Sequence, residues 1–467
     1  MKKRAIATLF AVLLLGVTAL ASGCGGETEE KFKVTEKGTP LSYGALDMHG
    51  LGTDVMPISG FIGPTDLFNL NGYSYPSIVT DAVYRRLAEA GVNVIVETKY
   101  DLAQLGKGTE LENALELAEK NGIYYLMTDT DLINVDGGFV AETERMAERL
   151  ESLYQEYPSL AGIYVRDEPS VKLFETVKTA QENFAAANAS AGTDYTSYAN
   201  LFPQTSGTQL SGDPNQGVTY ETYVNEFCKT SPPFLMYDFY PFEGLDGAIS
   251  ASWFSMLNIY REKSEELGVP YWLWLQAGGK WPDAPNKRLV TEAEMLWSIG
   301  TSLAMGAKGM GYFPLCMPPE YVTWGIESPY NAGLINQFGT ANPSWYYAVK
   351  AAKQIQAVDG VLMNSKSMGL ISHGESPCTM RGDYLLTSFR QLTGVEGDPC
   401  VIGCFDYLGG TALYVVNNST QSTGDFSLKF SDSYGYDIVR RGETSFRTGK
   451  NLDFSLEAGE SVLVTLR

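Results

Sequence analysis

From about Met56 the chain alternates short apolar runs with amphipathic stretches in a regular beat. Apolar runs of about four to eight residues ending at turn signals read as buried strands, and apolar positions recurring every three or four residues read as one face of a helix. The strands predicted in this way start at Pro57–Ile62, Val92–Glu97, Ile123–Met127 and Leu160–Asp167, and continue at Tyr195–Leu201, Phe234–Pro241, Tyr271–Gln276 and Lys308–Phe313. Between them lie helical patterns. Ser77–Ala90 presents Val79, Val83 and Leu87 on one face and stops at Gly91. The next carries Leu111, Ala114, Leu115 and Ala118 and stops at Asn121-Gly122, and a third carries Met146, Leu150, Leu153 and Tyr154. After the fourth strand, Ser170 is placed to cap a helix that runs to about Ala187. Another helix carries Trp253, Met256 and Tyr260. The helix with Met295, Ile299 and Leu303 opens on a capping box, Thr291 with Glu294, and a last one runs from about Pro343 to Val358.

Eight strands, each followed by a helix, is the count that a closed parallel (β/α)8 barrel requires. An open doubly wound sheet is the rival, but no Gly-x-Gly-x-x-Gly follows the first strand. After Gly360 the texture changes to strand-like runs separated by turn residues: Tyr384–Phe389, Val401–Phe405, Ala412–Val416, Phe426–Phe430 and Ser461–Leu466. The expected architecture is therefore an α/β (β/α)8 barrel over residues 51–360, followed by a small all-β sandwich over residues 361–467.

The fourth strand ends abruptly in Arg166-Asp167-Glu168-Pro169. Proline cannot donate a ladder hydrogen bond, so pairing stops there and two carboxylates are held at the strand exit. Acids at turns are common and the pair could simply be solvated, but in a barrel the strand exits form the mouth that carries the active site. By this reading the mouth residues are Glu97, Asp129, Asp131, Asp167, Glu168, Asn200, Asp238, Tyr240, Gln276 and the run Gly278–Trp281. Trp274 shares a side with Gln276 by the two-residue strand period. Trp272, on the same side, reads as core, while Trp281 and Trp324 are loop aromatics, Trp281 the better sugar platform.

Composition narrows the ligand. The net charge is -21, which disfavours nucleic acid and anionic membrane surfaces as partners. There are two histidines, His49 and His373, without metal-ligand spacing, and no Cys-x-x-Cys, so the expectation is no metal and no cofactor. Acids, amides and aromatics without a phosphate-binding glycine loop suit a neutral sugar as ligand.

The N-terminus changes the expected location. Lys2, Lys3 and Arg4 precede a mostly apolar run from Ala5 to Ala21, and Ala21-Ser22-Gly23 sets small residues before Cys24. This resembles a bacterial lipoprotein signal with Cys24 as the lipidated residue: residues 1–24 are the signal peptide and its Cys, and residues 25–50 a polar tether. The chain is expected to be exported and lipid-anchored, touching membrane only through that anchor. Among the other cysteines, Cys378 with Cys400 or Cys404 is a candidate bridge in an exported protein.

Three stretches carry a wider resemblance: Gly162-Ile163-Tyr164-Val165-Arg166-Asp167-Glu168-Pro169, the strand end Tyr237-Asp238-Phe239-Tyr240-Pro241, and Thr291–Phe313 with its Ala307-Lys308-Gly309 approach. Together they resemble the clan A glycoside hydrolases, more closely the beta-galactosidase-like barrels of exported bacterial proteins, over about Met56–Gly360. The resemblance implies that Glu168 is the catalytic acid/base and that Asp167 stands where an Asn contacts the sugar 2-hydroxyl. It also implies a nucleophilic Glu at the seventh strand exit, where this chain has Gln276, an amide that cannot act as that nucleophile. Three explanations stay open: Asp238 is the second carboxylate; Asp167 and Glu168 work with substrate assistance, Asp167 orienting a 2-acetamido group; or the chain binds sugar without cleaving it. The expected function is a cell-surface glycoside hydrolase acting on oligo- or polysaccharide, with Glu168, Asp238 and Asp167 catalytic and Gln276, Asn200, Tyr240, Trp281, Glu97 and Trp274 binding substrate. The alternative is a non-catalytic glycan-binding lipoprotein on the same scaffold.

Overall fold

A computed structural model describes residues 44–70, 72–244, 248–279, 286–317 and 333–467. Cys24, Lys280, Trp281 and Trp324 lie outside these residues. Eight parallel strands form one sheet: β1 Ile58–Phe61, β2 Val94–Asp101, β3 Tyr124–Thr128, β4 Leu160–Asp167, β5 Thr196–Asn200, β6 Leu235–Asp238, β7 Tyr271–Gln276 and β8 Met310–Phe313. β8 pairs with β1, and β5 meets β6 through the parallel bridge Leu201–Tyr237 and the bond from Leu201 N to Met236 O at 2.9 Å. The sheet therefore closes on itself, as the strand count requires.

The two-residue period of each strand divides its side chains between two cores. Inside the barrel pack Val94, Val96, Leu126, Ala161, Tyr198, Phe234, Met236, Trp272 and Trp274, with Met48 from the preceding segment. Two indoles fit there because β8 and the residues before it supply glycines. A Cβ on Gly309 would sit 2.6 Å from Trp272, and one on Gly311 would sit 2.1 Å from Trp274. Outward residues such as Ile95, Tyr125, Ile163 and Leu273 pack beneath the helices. The helices are α1 Asp81–Glu89, α2 Glu110–Lys120, α3 Thr143–Arg149, α4 Phe174–Ala191, α5 Tyr220–Cys228, α6 Trp253–Leu267, α7 Glu292–Ala304 and α8 Pro343–Met363.

Several boundaries differ from the sequence expectation for identifiable reasons. α1 starts at Asp81 because Thr80 is its cap, accepting from Val83 N at 3.4 Å, while the Ser77 hydroxyl is bound to Glu110. After Ser170 a single tight turn, Val171–Leu173, precedes α4, which ends on Gly192 with φ of 67°. The capping box of Thr291 and Glu294 is present at α7.

The C-terminal part is antiparallel: β9 Ser365–His373, β10 Leu392–Gly397, β11 Cys400–Tyr407, β12 Gly410–Asn417, β13 Gly424–Arg440, β14 Glu443–Leu456 and β15 Ser461–Leu466. The pairing path is β9-β11-β12-β15-β13-β10, with β14 on β13. β13 pairs β10 through its first half and β15 through its second, on either side of an irregularity between Lys429 and Tyr434. Ile371 of β9 and Leu392 of β10, at opposite ends of the path, share one apolar cluster with Leu413 and Phe430, so the sheet folds over itself into a sandwich. Its other face, with Tyr414, Val416 and Leu463, packs in the same core as Trp297 of α7 and Ile355 of α8.

Tyr384–Phe389, read as a strand, forms only isolated bridges through Leu385 and Phe389, while β9, β10 and β14 carried no clear signal in the sequence. The cysteine expectation is also corrected: Cys228, Cys316, Cys378, Cys400 and Cys404 are all free. Cys378 belongs to the barrel-side core, whereas Cys400 and Cys404 point into the sandwich.

Candidate active site

The exit of β4 is bolted down on both sides of its acids. Asp167 N donates to the Tyr164 hydroxyl at 2.7 Å, Glu168 N to Asn200 O at 2.9 Å, and the Tyr223 hydroxyl to Pro169 O at 2.9 Å. Glu168 sits at φ of 49°, in the left-handed region that a non-glycine residue occupies at a cost of order 1–3 kcal/mol. The bonds on either side hold it there, and the conformation turns its side chain out of the strand.

The inward column of β5 runs Tyr198, Asn200, and that of β6 runs Met236, Asp238. Their last members meet the β4 acids. Asn200 Nδ2 donates to Asp167 Oδ1 at 3.0 Å and to Asp238 Oδ1 at 3.1 Å, so one amide nitrogen ties two carboxylates together. Glu168 and Asp238 act on each other in opposite directions: Asp238 raises the pKa of Glu168, while Glu168 works against the rise at Asp238. All three acids are pushed above the usual carboxylate range, and burial is the largest cause in each case. For Glu168 the charges of Asp238 and Asp167 add to burial, making it the most strongly raised and the natural holder of the proton. Donation from Asn200 works against the rise at Asp167 and Asp238.

These acids line a cavity of about 410 Å³ at the barrel mouth. Trp274, level with Asp238 in the strand register, gives it an aromatic base together with Phe61 and Phe313. The Trp274 Nε1 donates to the Tyr198 hydroxyl at 2.9 Å, and Phe61 meets the indole edge-on at 5.5 Å. Tyr240 stacks on Phe313 at 5.5 Å with 19° between the rings. Polar groups of the lining include Thr205, Ser206, Gln209, Glu243, Ser250 and Lys287. Lys287 Nζ donates to Tyr240 O at 2.6 Å and to Glu243 Oε2 at 3.0 Å.

Of the sequence-predicted residues, Asp167, Glu168, Asn200, Asp238, Tyr240 and Trp274 converge on this cavity. Two others do not. Gln276 is buried, and its amide is consumed by backbone: Nε2 donates to Phe242 O at 3.1 Å and Arg288 O at 2.7 Å, and Oε1 accepts from Phe242 N at 3.1 Å. It fastens the loops over β7 and offers nothing to a ligand. Glu97 is fully buried; its carboxylate accepts from Gly63 N at 3.0 Å and Lys99 N at 2.5 Å and joins the exits of β1 and β2. Burial raises its pKa, and it is absent from the lining. Asp129 is held by Arg149 at 3.0 Å. Sequence reasoning missed Phe61 and Phe313, which the strand-exit rule reaches, and Lys287 with Glu243, which lie in loops without periodic signal. Among the described residues no group of three or more His, Cys, Asp or Glu is arranged to hold a metal ion.

No protein-family model and no curated protein matches the chain. Solved structures do. A family 39 glycoside hydrolase from Bacteroides cellulosilyticus WH2 is 12% identical over 89% of this chain and 82% of its own, with a TM-score of 0.46. A beta-galactosidase from Marinomonas ef1 is 11% identical over 66% of this chain and 62% of its own, with a TM-score of 0.46. A beta-galactosidase from Halorubrum lacusprofundi is 14% identical over 66% and 59%, with a TM-score of 0.41. The chain is similar to these glycoside hydrolases in fold; at such identities their substrates stay their own.

Proposed function

We propose that the chain is a glycoside hydrolase whose general acid is Glu168. The observation that supports this reading is the burial of Glu168 beside Asp238 and Asp167 in an open, aromatic-based cavity at the barrel mouth. A general acid must be protonated at working pH, and a glutamate becomes so only when burial and neighbouring negative charge oppose its ionisation. Both act on Glu168. Aromatic faces suit the C–H faces of a sugar ring, and the rim side chains Gln209, Ser250 and Lys287 suit its hydroxyls. Glu168 protonates the glycosidic oxygen as the bond to the anomeric carbon breaks. The anionic pair Asp167 and Asp238, tied by Asn200, lies beside the positive charge that develops there.

The location belongs to the same proposal: export, and anchoring through a lipidated Cys24, with oligo- or polysaccharide met at the cell surface. A second reading, glycan binding without cleavage, is favoured by one observation, the Gln276 amide locked to backbone at the exit of β7.

The test is a panel of aryl glycosides and natural oligosaccharides, given to the chain lacking residues 1–24 and to its Glu168→Gln variant. The hydrolase reading expects turnover that falls by roughly 10²–10⁴ in the variant at unchanged thermal midpoint. Calorimetric binding of glycans without turnover on any of them would sink it and leave the binder.

A further inference from the structure

The loop between β1 and α1 makes an excursion that the acids of the mouth do not use. It leaves the barrel at Thr65 and returns at Ile78, where Ile78 N donates to Thr65 O at 2.9 Å. Between these points Phe68–Leu70 pairs antiparallel with Tyr73–Tyr75. The two-residue strand period sets Phe68, Tyr73 and Tyr75 on one face of this hairpin, and Asn69 and Ser74 on the other. Strict alternation of this kind marks a strand with one face covered. Here the aromatic face is open, with Tyr73 71% exposed.

A second loop extends the same surface. Phe338, 55% exposed, lies against Tyr75 with ring centroids 5.8 Å apart, and Tyr75 stacks on Phe68 at 4.6 Å with 10° between the planes. The turn that carries Phe338 is pinned. Asn336 Oδ1 accepts from Phe338 N and Thr340 N, both at 3.0 Å, and Arg86 Nη1 donates to Gly339 O at 2.8 Å. Fixed backbone thus presents the phenyl ring to water. The surface is continuous with the cavity. Leu315 N donates to Phe61 O at 2.9 Å, and Leu334 N to Leu315 O at 2.8 Å. The chain at Leu334 therefore runs two strand spacings, about 10 Å, from Phe61, which lines the cavity.

We infer that this aromatic face docks the same glycan that enters the cavity, and that the glycan is a neutral polysaccharide long enough to span both. The inference rests on the cavity being a glycan site, which the hydrolase and the binder readings share. An exposed aromatic patch on a pinned scaffold marks an interaction surface. Rigid rings suit the C–H faces of successive sugar units, and the tyrosine hydroxyls suit the sugar hydroxyls. The net charge of -21 disfavours polyanionic chains and anionic membrane as the occupant.

The test uses the chain lacking residues 1–24 in affinity gels cast with hydroxyethylcellulose, arabinoxylan, galactomannan or pullulan. Turnover is followed on the same polymers and on 4-nitrophenyl glycosides. Wild type is compared with Tyr73→Trp, with the double variant Tyr73→Ala and Phe338→Ala, and with Glu168→Gln, which separates binding from cleavage. Tyr73 and Phe338 are exposed, so the double variant should keep the wild-type thermal midpoint. We expect at least one polymer to retard wild type and Glu168→Gln. The double variant should bind that polymer about 10-fold more weakly or worse, and Tyr73→Trp should still bind it. On polymer the double variant should raise KM and leave kcat in place, and kcat/KM on 4-nitrophenyl glycosides should stay at the wild-type value. Equal retardation of wild type and double variant would overturn the inference, as would wild type running free in all four gels. A wild-type dimer in light scattering that the double variant dissolves would give the face to a second copy of the chain. Sedimentation of wild type with neutral phosphatidylcholine vesicles, lost in the double variant, would give it to a lipid surface, and either result also overturns the inference. Retardation without turnover on any substrate would remove the hydrolase reading alone and leave the docking surface standing.

Discussion

At the scale of single residues, Glu168, Asp238, Asp167 and Asn200 form one titrating unit. Asp238 supports the acid by charge: removing it lowers the Glu168 pKa, since burial then acts with one neighbouring carboxylate fewer. The acid must be protonated to act, so the alkaline limb of the kcat/KM profile should move to lower pH in Asp238→Asn. An unmoved limb would exclude this role. The same unit shapes stability. Asp167 and Asp238 are raised in the folded chain, so their contribution is fully present below the unfolded carboxylate pKa and is lost as pH rises through the folded values. Asp167→Asn and Asp238→Asn should therefore gain stability over wild type at pH 8 and not at pH 4, read from urea midpoints at both. Function and stability oppose each other at this cluster.

At the scale of elements, β8 decides the shape of the cavity base without contributing a polar group. Gly311 leaves the space that the Trp274 indole fills, with the Ser59 hydroxyl also close. A methyl there has no room, because its neighbours are a packed indole ring and a short serine side chain rather than the end of a flexible one. Gly311→Ala should cost about 1–3 kcal/mol and push Trp274 toward the cavity. The expected outcome is a rise in KM with kcat less affected, together with a blue or red shift of tryptophan emission; a KM equal to wild type would show that the indole does not set the base. β4 makes the complementary point. Gly162 allows its backbone to lie against Thr196 O, which a Cβ would approach to 1.9 Å, and a register shift between Tyr164 and Arg166 then brings Asp167 level with Asn200.

At the scale of the whole molecule, the sandwich covers the helical shell on the side of α7 and α8. Trp297 Nε1 donates to Asn418 Oδ1 at 2.9 Å, Gln354 Nε2 to Val439 O at 3.2 Å, and Gly300 is small enough to lie under Val416. Glu460, accepting from both Arg440 and Arg441, is pushed down to about 2 although burial opposes this. Its contribution is present above the unfolded carboxylate pKa and fades as pH falls toward 2. A chain ending at Asn364 bares the Trp297 and Ile355 faces and should be recovered largely as aggregate; a soluble, monomeric product of native midpoint would show that the barrel needs no cover. Anchoring belongs to this scale too: Cys24→Ala should shift the chain from membrane to soluble fractions and abolish incorporation of labelled palmitate, and retention on the membrane would end the lipoprotein proposal.

The strand count, the order of strand and helix, and the exits that carry Asp167, Glu168, Asn200 and Asp238 were legible because each depends on local rules: the two-residue strand period, the helical stripe, and proline ending a ladder. The same rules pointed to Gln276 and Glu97 as mouth residues, and there they stopped short, since the period says which way a side chain faces and not what it meets. Only the fold showed that backbone groups of Phe242, Arg288, Gly63 and Lys99 claim those two side chains. Tertiary structure also brought Lys287 and Glu243 to the rim, placed Cys378 and Cys400 in separate cores, and set Glu168 and Asp238 in one cavity. Which residues stand at the mouth was thus a property of the chain read locally. How far apart they stand depends on the closure of β5 onto β6, where the hydrogen bonds of a barrel join strands that no local pattern relates.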